Sequence, residues 1–145
     1  MGLWNFVKNA GKKLVGSAEA AEAPAQDELI KEIEGLGLDA TGLDIAVEGD
    51  KVRVKGKPLS QEIKEKIILA VGNIKGVASV EDDVEGHDPV FHTVEKGDTL
   101  WAISAKTLGK GSRYNEIFEA NKPMLTHPDK IYPGQVLRIP QDDKA

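Results

Sequence analysis

The sequence predicts an α+β chain built as two small domains. Three observations carry that expectation. Two segments, Asp44-Ile45-Ala46-Val47-Glu48 and Lys51-Val52-Arg53-Val54-Lys55, alternate apolar and polar residues around Gly49-Asp50, which is a two-residue hairpin signal with glycine first. Helical stripes lie on both sides of that hairpin, and a further strand pattern follows, giving the order α-β-β-α-β. Beyond Gly86-His87-Asp88-Pro89 a second pattern, β-α-α-β, occupies roughly 50 residues and can bury only a small core.

The elements follow in chain order. Residues 1–16 read as an amphipathic helix, with Leu3, Phe6, Val7, Ala10 and Leu14 opposed to Lys8, Asn9, Lys12 and Lys13. Such a helix can lie on a membrane surface or dock on its own protein; docking is favoured because the segment is short, with Trp4 and Phe6 as anchors. Residues 17–26, rich in Ala and Glu, read as a tether. In the first domain, residues 27–86, Leu29, Ile30, Ile33 and Leu36 form a stripe ended by Gly35 and Gly37. After the hairpin, Ser60 is placed to cap a helix carrying Glu62 in its first turn and Ile63, Ile67, Ala70 and Ile74 along one side. That helix runs into a reversal bracketed by Gly72 and Gly76, and residues 77–84 form the third strand. Residues 87–90 are a short linker. The second domain, residues 91–141, places Asp98 as an N-cap, Leu100, Ile103 and Leu108 on one helical face, a second helix stopped by Asn121 and Pro123, and a final strand with Leu137 and Ile139 inward.

Composition excludes several classes of function. The 145-residue chain carries a net charge of −5, with pI near 5.2, which argues against nucleic-acid binding, where basic surface meets phosphate. It has no cysteine, so no disulfide, thiolate metal site or cysteine nucleophile exists. No apolar run approaches a bilayer span, and residues 1–8 are too polar for a signal-peptide core. These features lead to the expectation of a cytoplasmic monomer without stable membrane insertion.

Catalysis is not expected either. His87, His92 and His127 lie in no ligand pattern, and a set of Ser104, His92 and Asp98 lacks a nucleophile-elbow motif. Glu81-Asp82-Asp83 cannot converge on a divalent cation, because a strand sends neighbours to opposite faces; these residues read as a solvated acidic edge. The reversal at residues 72–76 leaves two readings open. Helix C-termini carry orphan carbonyls and the negative dipole end, and glycines with positive φ can fold several carbonyls toward one point. The same residues also describe an ordinary glycine-capped helix.

Family resemblance narrows these readings. Val47-Glu48-Gly49-Asp50-Lys51-Val52-Arg53-Val54-Lys55-Gly56, Ser60-Gln61-Glu62 and Ile74-Lys75-Gly76-Val77-Ala78-Ser79-Val80 make the first half similar to the BON domain, a small bacterial module linked to phospholipid or envelope binding. Val94, Gly97-Asp98-Thr99-Leu100, Asn121 and Pro133-Gly134-Gln135-Val136-Leu137-Arg138-Ile139-Pro140 make the second half resemble the LysM domain. It departs from that family in His92, where tyrosine is usual, and in longer connections at 109–113 and 124–130. The LysM resemblance implies a groove for N-acetylglucosamine-containing glycans, carried here by Gly97, Asp98, Thr99, Leu100, Lys122, Pro123 and Met124. Trp101 and Tyr114 are either stacking residues for such a glycan or part of the domain's packing.

Together with Met1-Gly2-Leu3-Trp4-Asn5-Phe6-Val7-Lys8, Ala70-Val71-Gly72-Asn73-Ile74 and Ile117-Phe118-Glu119-Ala120-Asn121-Lys122-Pro123-Met124, the whole chain resembles a family of small bacterial potassium-binding proteins. That resemblance implies a K+ sensor that compacts on binding. K+ is weakly hydrated, and neutral carbonyls can replace its water shell. The expected ligands are the carbonyls of Gly72, Ile74 and Val77 on one side and of Val7 and Ala10 on the other.

Overall fold

The computed structural model describes residues 2–6, 26–74, 76–86, 90–122 and 124–140. The chain divides into two compact units, Met1–Asp88 and Pro89–Ala145.

Among the described residues, the N-terminal unit is a four-stranded sheet with two helices. Its elements are β1 (Gly2–Asn5), α1 (Gln26–Gly35), β2 (Leu43–Glu48), β3 (Lys51–Gly56), α2 (Gln61–Gly72) and β4 (Ser79–Val84), and the strand order is β1-β4-β3-β2. The expected α-β-β-α-β order is observed for α1 to β4. Glu48 pairs with Lys51 across the hairpin, with Gly49 at φ +65°, as a right-twisted two-residue loop requires. β3 and β4 are parallel, so the chain must cross over between them, and α2 is that crossover. Val52, Val54, Val80 and Val84 are buried together with Leu29 and Ile33 of α1 and Ile67, Ile68 and Val71 of α2, which make up the core of this unit.

Two expectations are corrected here. Gly2–Asn5 is not the start of a helix but an edge strand, antiparallel to β4 with Trp4 opposite Val80. The open side of β4 offers backbone partners that outweigh a helical hydrophobic pattern in so short a segment. The rest of the expected helix lies outside the described residues. β4, in turn, is not a solvated acidic edge. It runs between β1 and β3, and Asp82 on its inner face is fully buried. Glu81 on the outer face meets Lys51 at 3.1 Å and Arg53 at 2.7 Å, and these bonds hold its carboxyl below the usual range, Lys51 contributing most.

The C-terminal unit contains β5 (Phe91–Thr93), α3 (Leu100–Thr107), a 3-10 turn (Gly111–Arg113), α4 (Tyr114–Ala120) and β6 (Val136–Arg138). β5 and β6 form a two-stranded antiparallel sheet. Val94, Leu100, Ile103, Ile117, Leu125, Leu137 and Ile139 make one small core. The β-α-α-β order is the one the sequence predicts.

Candidate functional site

The first candidate site is the C-terminal end of α2. The helix starts where expected: the Ser60 side chain accepts a hydrogen bond from the Ile63 N–H at 3.1 Å, and Glu62 complements the dipole in the first turn. From Ile67 to Gly72 every residue is buried, so the helix ends inside the unit rather than at its surface. Its end is closed sparingly. The Asn73 N–H donates to the Leu69 carbonyl at 3.0 Å, and the Val77 N–H to the Ile74 carbonyl at 3.1 Å. Among the described residues, the carbonyls of Ala70, Val71 and Gly72 receive no backbone donor across this reversal. Ala78 then donates to the Asp50 carbonyl at 2.8 Å and the chain enters β4.

Gly72, Ile74 and Val77 thus share one short, buried reversal, Ile74 and Val77 being almost inaccessible. Of the two glycines, Gly76 behaves as expected and Gly72 does not. Gly76 has φ +103°, the left-handed region that disfavours side chains. Gly72 is an ordinary helical residue; a Cβ there would overlap the ring of Phe6. Its glycine serves close packing rather than positive φ. Phe6 is the docking anchor expected of it, buried, with its N–H donating to the Ala78 carbonyl at 2.9 Å. Val7 and Ala10, the other two expected ligands, lie outside the described residues.

A second feature of this unit had no reading in the sequence. Lys64 and Asp82 are both buried, with Nζ 3.7 Å from the carboxylate and 3.2 Å from the Val84 carbonyl it donates to. Asp82 also accepts from the Val84 N–H at 3.0 Å and the Trp4 indole N–H at 3.4 Å. A buried ion pair survives desolvation only when its remaining hydrogen-bonding capacity is also used, and here it is. The available signal was the alternation Val80-x-Asp82-x-Val84, which puts one carboxylate on the apolar face. Among the described residues no three His, Asp or Glu side chains gather as a metal site, and no helix is long and apolar enough to cross a membrane.

The chain is 51% identical over 150 residues to the potassium binding protein Kbp of Escherichia coli O6:H1, covering 98% of this chain and all of that protein. This chain belongs to the Kbp family. The LysM domain family matches residues 92–140. An alignment of 62 positions, covering 37% of this chain and 28% of the other, is also 37% identical to the uncharacterized protein YqbP of Bacillus subtilis.

In this Kbp-family chain the LysM loops form the other candidate site. The turn at residues 95–98 is locked by Asp98, whose carboxylate accepts from the Glu95 N–H at 2.9 Å and lies 3.1 Å from His92 Nε2. Those two contacts, the backbone one first, hold the Asp98 carboxyl below its ordinary value. Asp98 is therefore not the cap of α3. Thr99 is, its hydroxyl accepting from the Ala102 N–H at 3.1 Å.

Of the expected groove residues, Gly97, Thr99 and Lys122 are exposed, and Asp98 and Met124 are half-buried. Leu100 belongs to the core, so its side chain is no groove contact. Pro123 lies outside the described residues. Lys122 sits 4.8 Å above the Phe118 ring and pairs with Glu119 at 3.0 Å. Trp101 is largely exposed, with its ring centroid 6.0 Å from that of Tyr114, and its indole rests on Gly111, where a Cβ would overlap it.

Proposed function

We propose that this chain is a cytoplasmic, non-catalytic K+-binding protein that holds the ion on backbone carbonyls at the end of α2 and becomes more compact in doing so. The observation that carries this reading is its 51% identity, over nearly its whole length, to a protein named for potassium binding. The geometry agrees with it. Gly72 offers a carbonyl without a described backbone donor, Val77 follows on the same reversal, and the Ile74 oxygen retains a lone pair beside its bond to Val77. A site made of neutral oxygens selects by their number and spacing, which suits a large, weakly hydrated monovalent cation. Val7 and Ala10 would complete the set. Ion binding to the compact form then draws the population toward it. The test is titration calorimetry of potassium-free protein with KCl and NaCl at constant ionic strength, with small-angle scattering on both end points. Saturable heat and a smaller radius with K+ alone are the expected results; no heat with either ion would sink the reading.

The LysM match supports a second reading, glycan binding by the C-terminal unit. Chitooligosaccharide or muropeptide titration followed by amide shifts at Gly97, Thr99 and Lys122 tests it, and unchanged spectra would remove it.

A further inference from the structure

We infer that Phe6 is the positioning residue of the α2 ion site, so that seating of β1 on the sheet edge and binding of K+ are one linked equilibrium; this rests on the K+ reading above. Three contacts hold residues 4–6 against β4 and the reversal that leads into it, which supplies Gly72, Ile74 and Val77. The Trp4 indole donates to buried Asp82 at 3.4 Å. The Phe6 N–H extends the β1–β4 ladder by one bond, to the Ala78 carbonyl, immediately after Val77. The Phe6 ring fills the space beside Gly72, leaving no room for a Cβ.

Phe6 offers no oxygen through its side chain and acts only by placement. It presses an apolar ring on the residue whose carbonyl is proposed as a ligand, and it is joined directly to Val7, another member of the proposed set. A carbonyl site works only when its oxygens are held at fixed spacing by surrounding packing. The helical backbone of Gly72 removes the conformational reason for glycine there, so accommodation of Phe6 is the reason that remains. Anything that unseats β1 then loosens the ion site, and the ion in turn holds β1 down.

The experiment uses the full chain with Trp101→Phe, so that Trp4 is the sole indole. KCl and NaCl titrations at constant ionic strength are followed by heat and by Trp4 emission in this parent and in Phe6→Ala, Phe6→Leu, Gly72→Ala and the Phe6→Ala/Gly72→Ala double variant. Phe6→Ala should weaken K+ affinity at least about tenfold, with Phe6→Leu restoring it to within about threefold of the parent. Gly72→Ala should weaken binding, and the double variant should lose less than the two single losses combined, because the ring that the new methyl strikes is gone. Trp4 emission should change with the same midpoint as the heat.

If Phe6→Ala lowers only the melting temperature in NaCl and leaves K+ affinity unchanged, Phe6 is merely structural and the inference is overturned while the K+ reading stands. Heat without any change at Trp4 overturns the linkage in the same way. Absence of K+ heat in the parent overturns the K+ reading and this inference with it.

Discussion

The end of α2 and the helix ends of the C-terminal unit are finished in different ways. In the C-terminal unit, polar side chains add hydrogen bonds to backbone carbonyls at and near the helix ends. Asn121, itself buried, donates to the carbonyls of Ile117 at 2.7 Å and Arg138 at 2.9 Å and accepts from the Arg138 N–H at 2.7 Å. Thr107 does the same for the Ile103 carbonyl at 2.7 Å, and Ser104 for that of Lys110 at 2.6 Å. In the N-terminal unit α2 ends in the core on a glycine, with an aromatic ring against it and carbonyls that no described backbone N–H meets. Both units have to satisfy orphan carbonyls. The C-terminal unit adds polar side chains to its backbone closures, whereas at the end of α2 the described donors are the Asn73 and Val77 N–H groups. That contrast distinguishes the reversal proposed to hold the ion from the helix ends of the C-terminal unit.

The largest effect should come from Lys64→Met, which leaves Asp82 buried without its counter-charge. A loss of about 3–5 kcal/mol in urea unfolding of the N-terminal unit is expected, and Lys64→Met with Asp82→Leu should regain much of it. If the single variant costs under 1 kcal/mol or so, the pair is not the fixed hub that joins α2 to β4.

Next, K+ at about 100 times its dissociation constant should stabilise the N-terminal unit by roughly 2.7 kcal/mol. Hydrogen exchange should show that protection in β1, β4 and the end of α2 while α3 and α4 stay unchanged. Equal protection in both units would erase the contrast between them.

A comparable effect is expected in the other direction from Asn121→Leu, which strips donors from two carbonyls and an acceptor from the Arg138 N–H. It should destabilise the C-terminal unit by roughly 2–3 kcal/mol and leave K+ affinity as it was. Ser60→Ala should cost about 1 kcal/mol by removing the α2 cap, read from thermal unfolding.

The smallest effect concerns acid. The Asp98 carboxyl titrates lower in the folded unit than in the unfolded chain, so its contribution is present above the unfolded value of roughly 4 and fades as pH falls through the folded one. Asp98→Asn should flatten that part of the pH–stability curve, and an unaltered curve would show that the turn at residues 95–98 does not depend on the carboxylate.

Much of the fold was legible because its signals are local. The Gly49-Asp50 hairpin, the Ser60 cap and the β-α-α-β order around Leu100, Ile117 and Leu137 each depend on residues a few positions apart. The candidate site was legible only in outline. The reversal at residues 72–77 could be located from its glycines, and Gly76 has the positive φ that a turn demands. Why residue 72 is glycine could not be read, because the reason lies in the ring of Phe6, remote in sequence. Asp82 was misread for a similar cause: an acidic run looks solvated until Lys64 is known to lie opposite. Thr99 took the capping role expected of Asp98 because both can cap, and only the contacts with Glu95 and His92 separate them.

By itself, then, the sequence determined the periodic elements, the hairpin, the two-domain order and the membership of the C-terminal half in the LysM family. All of these follow from short-range hydrogen bonding and the side-chain periods of helix and strand. The tertiary structure alone decided that residues 2–5 pair as a strand, that a lysine and an aspartate share the core, and that Phe6 occupies the space beside Gly72. Those outcomes depend on which distant surfaces meet, and a free strand edge or a space the size of a phenyl ring has no local spacing by which to announce itself.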